Sequence, residues 1–488
     1  MKGSFRRAIL IVIGLALSEL TVAQPTEAVR YDILDLGTLG GERSRAFGIN
    51  DRGHVVGESH SSAGLYPGQN HAFLWTPEEG IMDLGSLGLW SWAYDINYYD
   101  EVVGRSLKES GETRAFIWKR QIGIEELDIL PGNEDSTAFG INDLGQIVGD
   151  QDLIAHLWES DGRMTNLGHL GGNWSRAFDI NELEQVVGSS RIVPGGPHRA
   201  FIWTKEGGIE DIGITPTEGF STAMAINDLR QVTGYLYDPA LDEVSSFVWT
   251  QDEGIRDLGN LGGNRTYAHD INNREQVAGT SVTEDGVPHP FLWDSDNGMQ
   301  DLSEMLLPGS EWLLEWSYGL SPRLAINDAG QIAGSGRLDP DGDGSFDTTH
   351  AFLMTPLVEV TTDLDYYIDM TLSDTFSFDY WWEMGQEPEG CNLDILFFVE
   401  DGWKFLGWEL NFDGSSAEWE TASFWVPPWA RGLETQIMFK LFDYGEYTDP
   451  TVYLRDIRSE PVPEPGTLLL VASGLIGLAG FRKRFKKS

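Results

Sequence analysis

Ala46-Phe47-Gly48-Ile49-Asn50-Asp51-Arg52-Gly53-His54-Val55-Val56-Gly57 is the stretch whose reading decides the fold, because its skeleton is not unique in the chain. An Asn followed seven residues later by a Gly returns as Asn50/Gly57, Asn97/Gly104, Asn142/Gly149, Asn181/Gly188, Asn227/Gly234, Asn272/Gly279 and Asn327/Gly334. Successive Asn residues lie 47, 45, 39, 46, 45 and 55 apart, the period of a propeller blade rather than of a helical repeat. Each copy reads as four short strands. The first is Ala-x-x-Ile-Asn, with Gly, Asp or Ala at its third place, and small residues there suit a strand crowded near a central axis. The second follows an Asn-Asp-x-Gly type turn, as at Asn142 to Gly145, which supplies the φ > 0 positions of a tight hairpin. The third carries Phe and Trp two residues apart, as in His71-Ala72-Phe73-Leu74-Trp75, and the fourth follows a Gly turn, as in Gly80-Ile81-Met82-Asp83-Leu84-Gly85. Alternation of this kind belongs to sheets that pack against other sheets.

The phase of the repeat points to its closure. The series opens on a fourth-type strand, Tyr31 to Gly37, whereas the seventh copy ends on its third-type strand, His350 to Met354. A ring that takes its last missing strand from the N-terminus has no exposed hydrophobic ends, unlike an open stack. The expectation is an all-β chain with a seven-bladed β-propeller over residues 31–357, closed by residues 31–37; an open β-solenoid is the competing arrangement. The units resemble the HAF family of extracellular repeats, through His71-Ala72-Phe73, His350-Ala351-Phe352 and the Asp-Leu-Gly-x-Leu-Gly-Gly strings at 35–41 and 257–263. That resemblance covers about two thirds of the chain. It implies export and a repetitive β architecture, and it supplies no catalytic residues.

From 358 to 459 the texture changes to β-rich runs such as Thr375 to Trp382, Leu393 to Val399 and Trp403 to Leu410, separated by Gly, Pro and Asp. About 100 residues of this kind predict an antiparallel, jelly-roll-like β-sandwich. Its Trp residues divide between core packing and an aromatic platform for sugar rings. Trp403 and Trp408, beside an expected hairpin tip, and Trp429, after Pro427-Pro428, are the candidates for glycan stacking.

The two ends carry addresses. Residues 1–23 have Lys2, Arg6 and Arg7, an apolar run and a small-residue Thr21-Val22-Ala23 site, so they read as a secretory signal removed by signal peptidase. Residues 462–488 contain Pro463-Glu464-Pro465, an apolar stretch from Leu468 to Phe481 and a basic tail from Arg482 to Lys487. The apolar stretch reads as a transmembrane helix short of the ~20 residues of a stable span, hence a transient tether whose basic end stays cytoplasmic. This tripartite end resembles the PEP-CTERM sorting signal. The resemblance implies a Gram-negative bacterium, an exosortase as partner, removal of the tail, and delivery to the cell surface or extracellular matrix.

Charge sharpens the class. Against 77 Asp plus Glu the chain has 33 Lys plus Arg, a formal net charge of -44, which repels polyanions and excludes nucleic acid as a general partner. Eight of the basic residues lie in the two end segments, so the exported body is more acidic still. One cysteine, Cys391, excludes a disulfide framework. One string resembles a metal loop: Asp339, Asp341, Asp343 and Asp347 sit at places 1, 3, 5 and 9 with Gly344 at 6, the spacing of an EF-hand-type calcium loop, although His350 replaces the Glu at place 12. Calcium is the expected ion, and a solvated acidic turn is the alternative. Asp95, Asp179 and Asp270 share one place in their first strands, where they either cap a turn or approach a central channel. No hydrolase, zinc or phosphate-loop motif occurs. The leading expectation is an exported, non-catalytic binding or structural protein directed to exopolysaccharide or envelope partners. A carbohydrate-active enzyme with its site in the propeller funnel is the alternative, and a pure spacer is a third.

Overall fold

Each copy of the repeat folds as an antiparallel meander. In the first, Gly40–Ile49, Val55–Ser61, Gln69–Thr76 and Gly80–Gly85 pair in that order. The computed structural model describes residues 29–62, 69–130, 135–213, 219–307, 310–316, 323–339, 348–361, 366–371, 375–383, 391–399, 402–411, 420–425, 434–443 and 451–460, with side chains described as far as Leu357. All regular structure among the described residues is β, and no helix long and apolar enough to cross a membrane occurs among them. The second to sixth copies keep the same four-strand order. The seventh contributes Ala325–Ile326, Ile332–Leu338 and Thr348–Pro356. Its fourth place is taken by Tyr31–Asp35, antiparallel to Thr348–Pro356, with Tyr31 opposite Pro356 and Asp35 opposite Phe352.

Apolar burial runs between copies. Of the hydrophobic clusters among the described residues, one lies at every seam. Val56, Ala72 and Leu74 of the first copy meet Ala93, Val102 and Phe116 of the second, and later copies repeat the pattern. At the last seam Ala325, Ala333 and Leu353 meet Leu36, Ala46, Phe73 and Trp75. Tyr31 joins Leu302, Met305, Leu314, Trp316 and Met354 in the neighbouring cluster. The recurring Phe of the third strand is fully buried at Phe73, Phe116, Phe201, Phe247, Phe291 and Phe352.

Polar links explain the motifs. The His of His-Ala-Phe pairs with the Asp of Asp-Leu-Gly, His71 Nδ1 lying 2.9 Å from Asp83 and His350 Nδ1 2.9 Å from Asp35, and the degenerate copy His289-Pro290-Phe291 keeps the pair with Asp301 at 2.6 Å. The same Asp accepts the backbone N–H two residues on, from Gly37 and Gly85 at 2.8 Å, forming an Asx turn. Sequence reading passed over a recurrent Ser two places before the first-strand Ala. Ser91, Ser136, Ser175 and Ser221 each accept the backbone N–H of the previous copy's third-strand Ala, and Ser44 accepts that of Ala351 at 2.9 Å.

The first strand carries a β-bulge at the same place in each of the first six copies, between Ala46 and Gly48, for example, and between Ala93 and Asp95. The extra residue is Phe47, Tyr94, Phe139, Phe178, Met224 or His269, and the bulge turns it toward the common axis. Opposite the bulge, a Cβ on Gly57 or Gly104 would overlap the carbonyl oxygen of Arg45 or Trp92, which is why the Val-Val-Gly glycine recurs.

Beyond Leu357 two four-stranded antiparallel sheets follow. One orders Val358–Thr361, Thr451–Glu460, Thr375–Glu383 and Glu420–Trp425; the other orders Tyr366–Thr371, Glu434–Asp443, Cys391–Val399 and Gly402–Asn411. The hairpin joining Cys391–Val399 to Gly402–Asn411 puts Trp403 opposite Phe398 and Trp408 opposite Ile395. The signal at 1–23, Asp341, Asp343, Asp347, Trp429, Pro463, Glu464, Pro465 and the expected C-terminal helix lie outside the described residues.

Candidate functional site

All seven copies converge on one axis, along which three levels differ in chemistry. At the end formed by the tight turns, the repeat Asn residues make a closed chain. Nδ2 of Asn50 donates to the carbonyl of Asn97 at 3.0 Å, Asn97 to Asn142 at 3.2, Asn142 to Asn181 at 3.2, Asn181 to Asn227 at 3.0, Asn227 to Asn272 at 2.9, Asn272 to Asn327 at 2.9, and Asn327 returns to Asn50 at 3.0. Each Asn Oδ1 also accepts the N–H four residues on, such as Gln146 or Gln185 at 2.9 Å, and so caps its own turn. This capping lets Asp100, Glu184, Arg230 and Glu275 hold the left-handed place that Gly53, Gly145 and Gly330 fill in other copies. The next residues, Asp51, Asp143, Glu182, Asp228 and Asp328 with Tyr98 and Asn273, rim an acidic bowl of about 220 Å³. A second hydrogen-bond chain runs round this rim from Tyr98 N to Asp143, and on through Asp328 N to Asp51 at 2.8 Å.

One level deeper, the third place of the first strand alternates: Gly48, Asp95, Gly140, Asp179, Ala225, Asp270, Ala325. Each Asp accepts two backbone N–H groups, one from its own copy and one from the next: Asp95 from Ile96 and Ile141, Asp179 from Ile180 and Ile226, Asp270 from Ile271 and Ile326, all at 2.8 or 2.9 Å. Beside an Asp this place is crowded: a Cβ on Gly48 would press on Tyr94 O at 3.0 Å and the Asp95 Cα at 3.1 Å, and no copy that precedes an Asp carries more than the methyl of Ala225 there. The two readings of these Asp residues therefore both apply, for they cap backbone and line a channel. With Arg323 and the ring of Phe47, Tyr94, Phe139 and Phe178 they enclose a chamber of about 40 Å³. Burial first, and then the charge of Asp179, pushes the Asp95 carboxyl up to about 8 and that of Asp270 up to about 7, against the pull of Arg323. Burial likewise raises Asp179. Burial, then Arg323, holds His269 down to about 3, and its Nδ1 accepts the Leu324 N–H at 3.1 Å.

These shifts give a pH dependence. The folded pKa values of Asp95 and Asp270 stand above the ordinary 3.8, so the native state binds more protons than the unfolded chain between about pH 4 and pH 8. Stability contributed here is greatest below pH 4 and declines as pH rises through the folded values. The melting temperature at pH 5 should exceed that at pH 8.5. Asp95→Asn should shrink that difference, and a difference of unchanged size in the variant would contradict the buried-acid account.

The third level opens at the other end, where the longer connections gather. Arg43, Arg45, Arg105 and Arg176 stand above Arg323 here, interleaved with Trp92, Tyr94, Phe139 and Trp174. The Arg105 guanidinium lies 4.7 Å from the Trp92 ring centre and 5.7 Å from that of Tyr94. Arg176 lies 5.1 Å from Phe139 and 5.8 Å from Trp174. Tyr94 and Phe139 rings are 5.3 Å apart, and Phe139 and Phe178 5.6 Å. Two acids are buried among these groups. Glu58 is 3.6 Å from Arg45, and Asp150 is 3.4 Å from Arg176. Burial raises both carboxyls, opposed by Arg45 and Arg43 at Glu58 and by Arg176 and Arg105 at Asp150. Of the calcium string only Asp339 is described, and it is buried. No group of three or more His, Cys, Asp or Glu among the described residues is placed to hold a metal ion.

Residues 461–484 match the PEP-CTERM protein-sorting motif, which marks the chain for exosortase processing, export and sorting to the cell envelope or surface in Gram-negative bacteria. No curated protein matches the chain. Solved structures to which it is similar include an oligogalacturonate lyase in complex with manganese, at 12% identity over 68% of this chain and 97% of that one, TM-score 0.44. Others are a gluconolactonase from Xanthomonas campestris, at 11% identity over 59% and 90%, TM-score 0.33, and the BP39L lectin from Burkholderia pseudomallei, at 9% identity over 64% and 96%, TM-score 0.35. At such TM-scores the likeness says nothing about activity or ligand. The chain itself is an all-β, propeller-like protein that carries an envelope-sorting motif.

Proposed function

We propose that this exported protein is a non-catalytic binding protein of the cell surface or matrix, built as a seven-bladed propeller of HAF-type repeats closed by residues 31–35 and followed by a jelly-roll-like sandwich over 358–459. The cyclic Asn chain, the cluster at each seam and the pairing of Tyr31–Asp35 with Thr348–Pro356 support the ring. Exopolysaccharide is the ligand class, and the observation that carries it is the floor of the long-loop end. Aromatic faces held open by stacked guanidiniums offer both halves of sugar recognition, apolar surface for pyranose C–H groups and edge N–H donors for hydroxyls. A signal at 1–23 and the tail at 462–488 would put the body outside the inner membrane, with a tail helix as a transient tether. Calcium at Asp339, Asp341, Asp343 and Asp347 would stabilise the acidic segment that carries them, and Trp403, Trp408 and Trp429 would add a second stacking surface.

One observation favours an enzyme instead. Asp95 and Asp270 have the raised carboxyls of general acids. The chamber they line, about 40 Å³, admits water and no sugar ring, so the geometry weighs toward binding. Calorimetry of the body spanning residues 24–461 against a panel of oligosaccharides, paired with a reducing-end assay, should show binding without turnover. Release of reducing ends would transfer the assignment to the enzyme, and no heat with any glycan would leave only the structural role. A parallel calcium titration should lose its heat in Asp341→Ala and Asp343→Ala, and identical heats would remove the ion from the proposal.

A further inference from the structure

The funnel at the long-loop end is the wrong sign for the rest of the molecule. The chain has 77 acidic against 33 basic residues, yet here five guanidiniums meet two buried carboxylates. They come from different copies: Arg43 and Arg45 from the first, Arg105 from the second, Arg176 from the fourth and Arg323 from the seventh. Their convergence is visible at two groups. The charges of Arg105, Arg323 and Arg176 all act on the Tyr94 hydroxyl, and those of Arg45, Arg43 and Arg105 all act on Glu58. Arg45 pairs with Glu58 and Arg176 with Asp150, and Arg323 faces the chamber of Asp95, Asp179 and Asp270, so Arg43 and Arg105 are the guanidiniums that internal pairing leaves over.

The surplus guanidiniums are also prepared for a partner. Arg105 lies 4.7 Å from the Trp92 ring centre and 5.7 Å from that of Tyr94, contacts that restrict its guanidinium without using its N–H donors. The Nε groups of Arg43, Arg105 and Arg323 are buried and meet no acceptor among the described residues. A buried donor without an acceptor costs about 1–3 kcal/mol, a cost that a forked anion relieves. The remaining axial positions at this level are aromatic, Trp92 and Tyr267, or hydroxylic, Thr137 and Thr222. Fork-shaped cations beside flat apolar faces fit a carboxylate attached to a sugar ring better than an isolated anion or a neutral glycan.

We propose that the long-loop funnel binds a carboxylate-bearing polysaccharide, a chain of uronic acid residues, with Arg105 forking a carboxylate and Arg43 adding positive charge, while Trp92 and Trp174 stack on the rings. This deepens the binding reading above and rests on it. The test titrates the 24–461 body with a uronic acid tetramer and with the neutral hexose tetramer of the same linkage. The uronate should bind at least about tenfold tighter, and its affinity should fall as salt rises from about 0.05 to 0.5 M because the surplus charge is screened. Arg105→Gln should cost the uronate about tenfold and leave the neutral tetramer within about twofold. Arg105→Lys, which keeps the charge and loses the fork, should recover only part of the loss. Equal affinity for both tetramers, or loss of both in Arg105→Gln with an unchanged melting curve, would overturn the acidic-ligand assignment and leave glycan binding standing. No binding of either tetramer, with the panel above also silent, would remove the binding reading itself.

Discussion

A body lacking residues 29–37 should melt more than about 10 °C below its parent. The segment supplies the fourth strand to Thr348–Pro356 over five residue pairs, and it buries Tyr31 at 1% exposure and Leu36 at 3%. Truncating a buried aromatic costs about 3–5 kcal/mol and a buried Leu about 2–5, so the two side chains alone are worth about 5 kcal/mol or more. At about 2 °C per kcal/mol for a unit of this size, the shift exceeds about 10 °C before the lost backbone bonds are counted. Among those bonds are Tyr31 N to Met305 O at 2.8 Å, Leu36 N to Ala351 O at 3.0 Å and Leu357 N to Arg30 O at 2.8 Å, each tying chain positions more than 270 residues apart. Tyr31→Ala should reproduce about half of the effect with the strand still present. Calorimetric melting within about 2 °C of the parent would mean that the seventh copy holds itself without the N-terminal strand, as in an open stack.

What was legible in the sequence was what recurs. The Asn50/Gly57 spacing, the buried Phe of six of the seven third strands and the left-over strand at Tyr31 stand out because every copy must meet the same packing problem. The sense of each contact was less visible. That Asn181 donates to Asn227, or that Ser91 accepts from Ala72, cannot be read from periodicity, because donor and acceptor lie in different copies and each position looks self-sufficient. Asp95 is a case of both readings at once: its turn-capping role is local, and its place on the axis appears only when the copies are arranged in a ring. The funnel escaped sequence reading for the opposite reason. Several of its residues share one repeat position, filled by Arg45, Trp92, Thr137, Arg176, Thr222 and Tyr267, and variation at one place looks like noise until that place is seen to face the axis. Within a repeat, then, constant positions belong to the scaffold, and axial positions that vary are released from the packing and hydrogen bonds that the copies share. The acidic loop and the Trp residues of the second module drew the sequence argument because they were locally unusual.

Asn181→Ala should destabilise the body by about 3–4 kcal/mol, more than any surface change at the same turn. The side chain is buried and fully used: Oδ1 accepts from Leu183 N at 3.1 Å and Gln185 N at 2.9 Å, while Nδ2 donates to Gln185 Oε1 at 3.1 Å and Asn227 O at 3.0 Å. Each such bond is worth about 1 kcal/mol net, and the partners left behind stay buried. Leu183→Ala, in the same turn but exposed, should stay within about 0.5 kcal/mol. Asn181→Asp separates capping from seam closure. It keeps the two acceptor bonds but points a carboxylate at the Gln185 and Asn227 oxygens, so at pH 8 it should be at least as harmful as Ala, and lowering the pH to 5 should restore part of the loss by protonation. A loss for Asp far smaller than that for Ala at both pH values would show that the turn cap carries the whole effect. Because Asn327 donates to Asn50 as Asn181 does to Asn227, Asn327→Ala should cost as much as Asn181→Ala, and that equality separates a ring from a line: in an open stack the terminal Asn has no neighbour to lose.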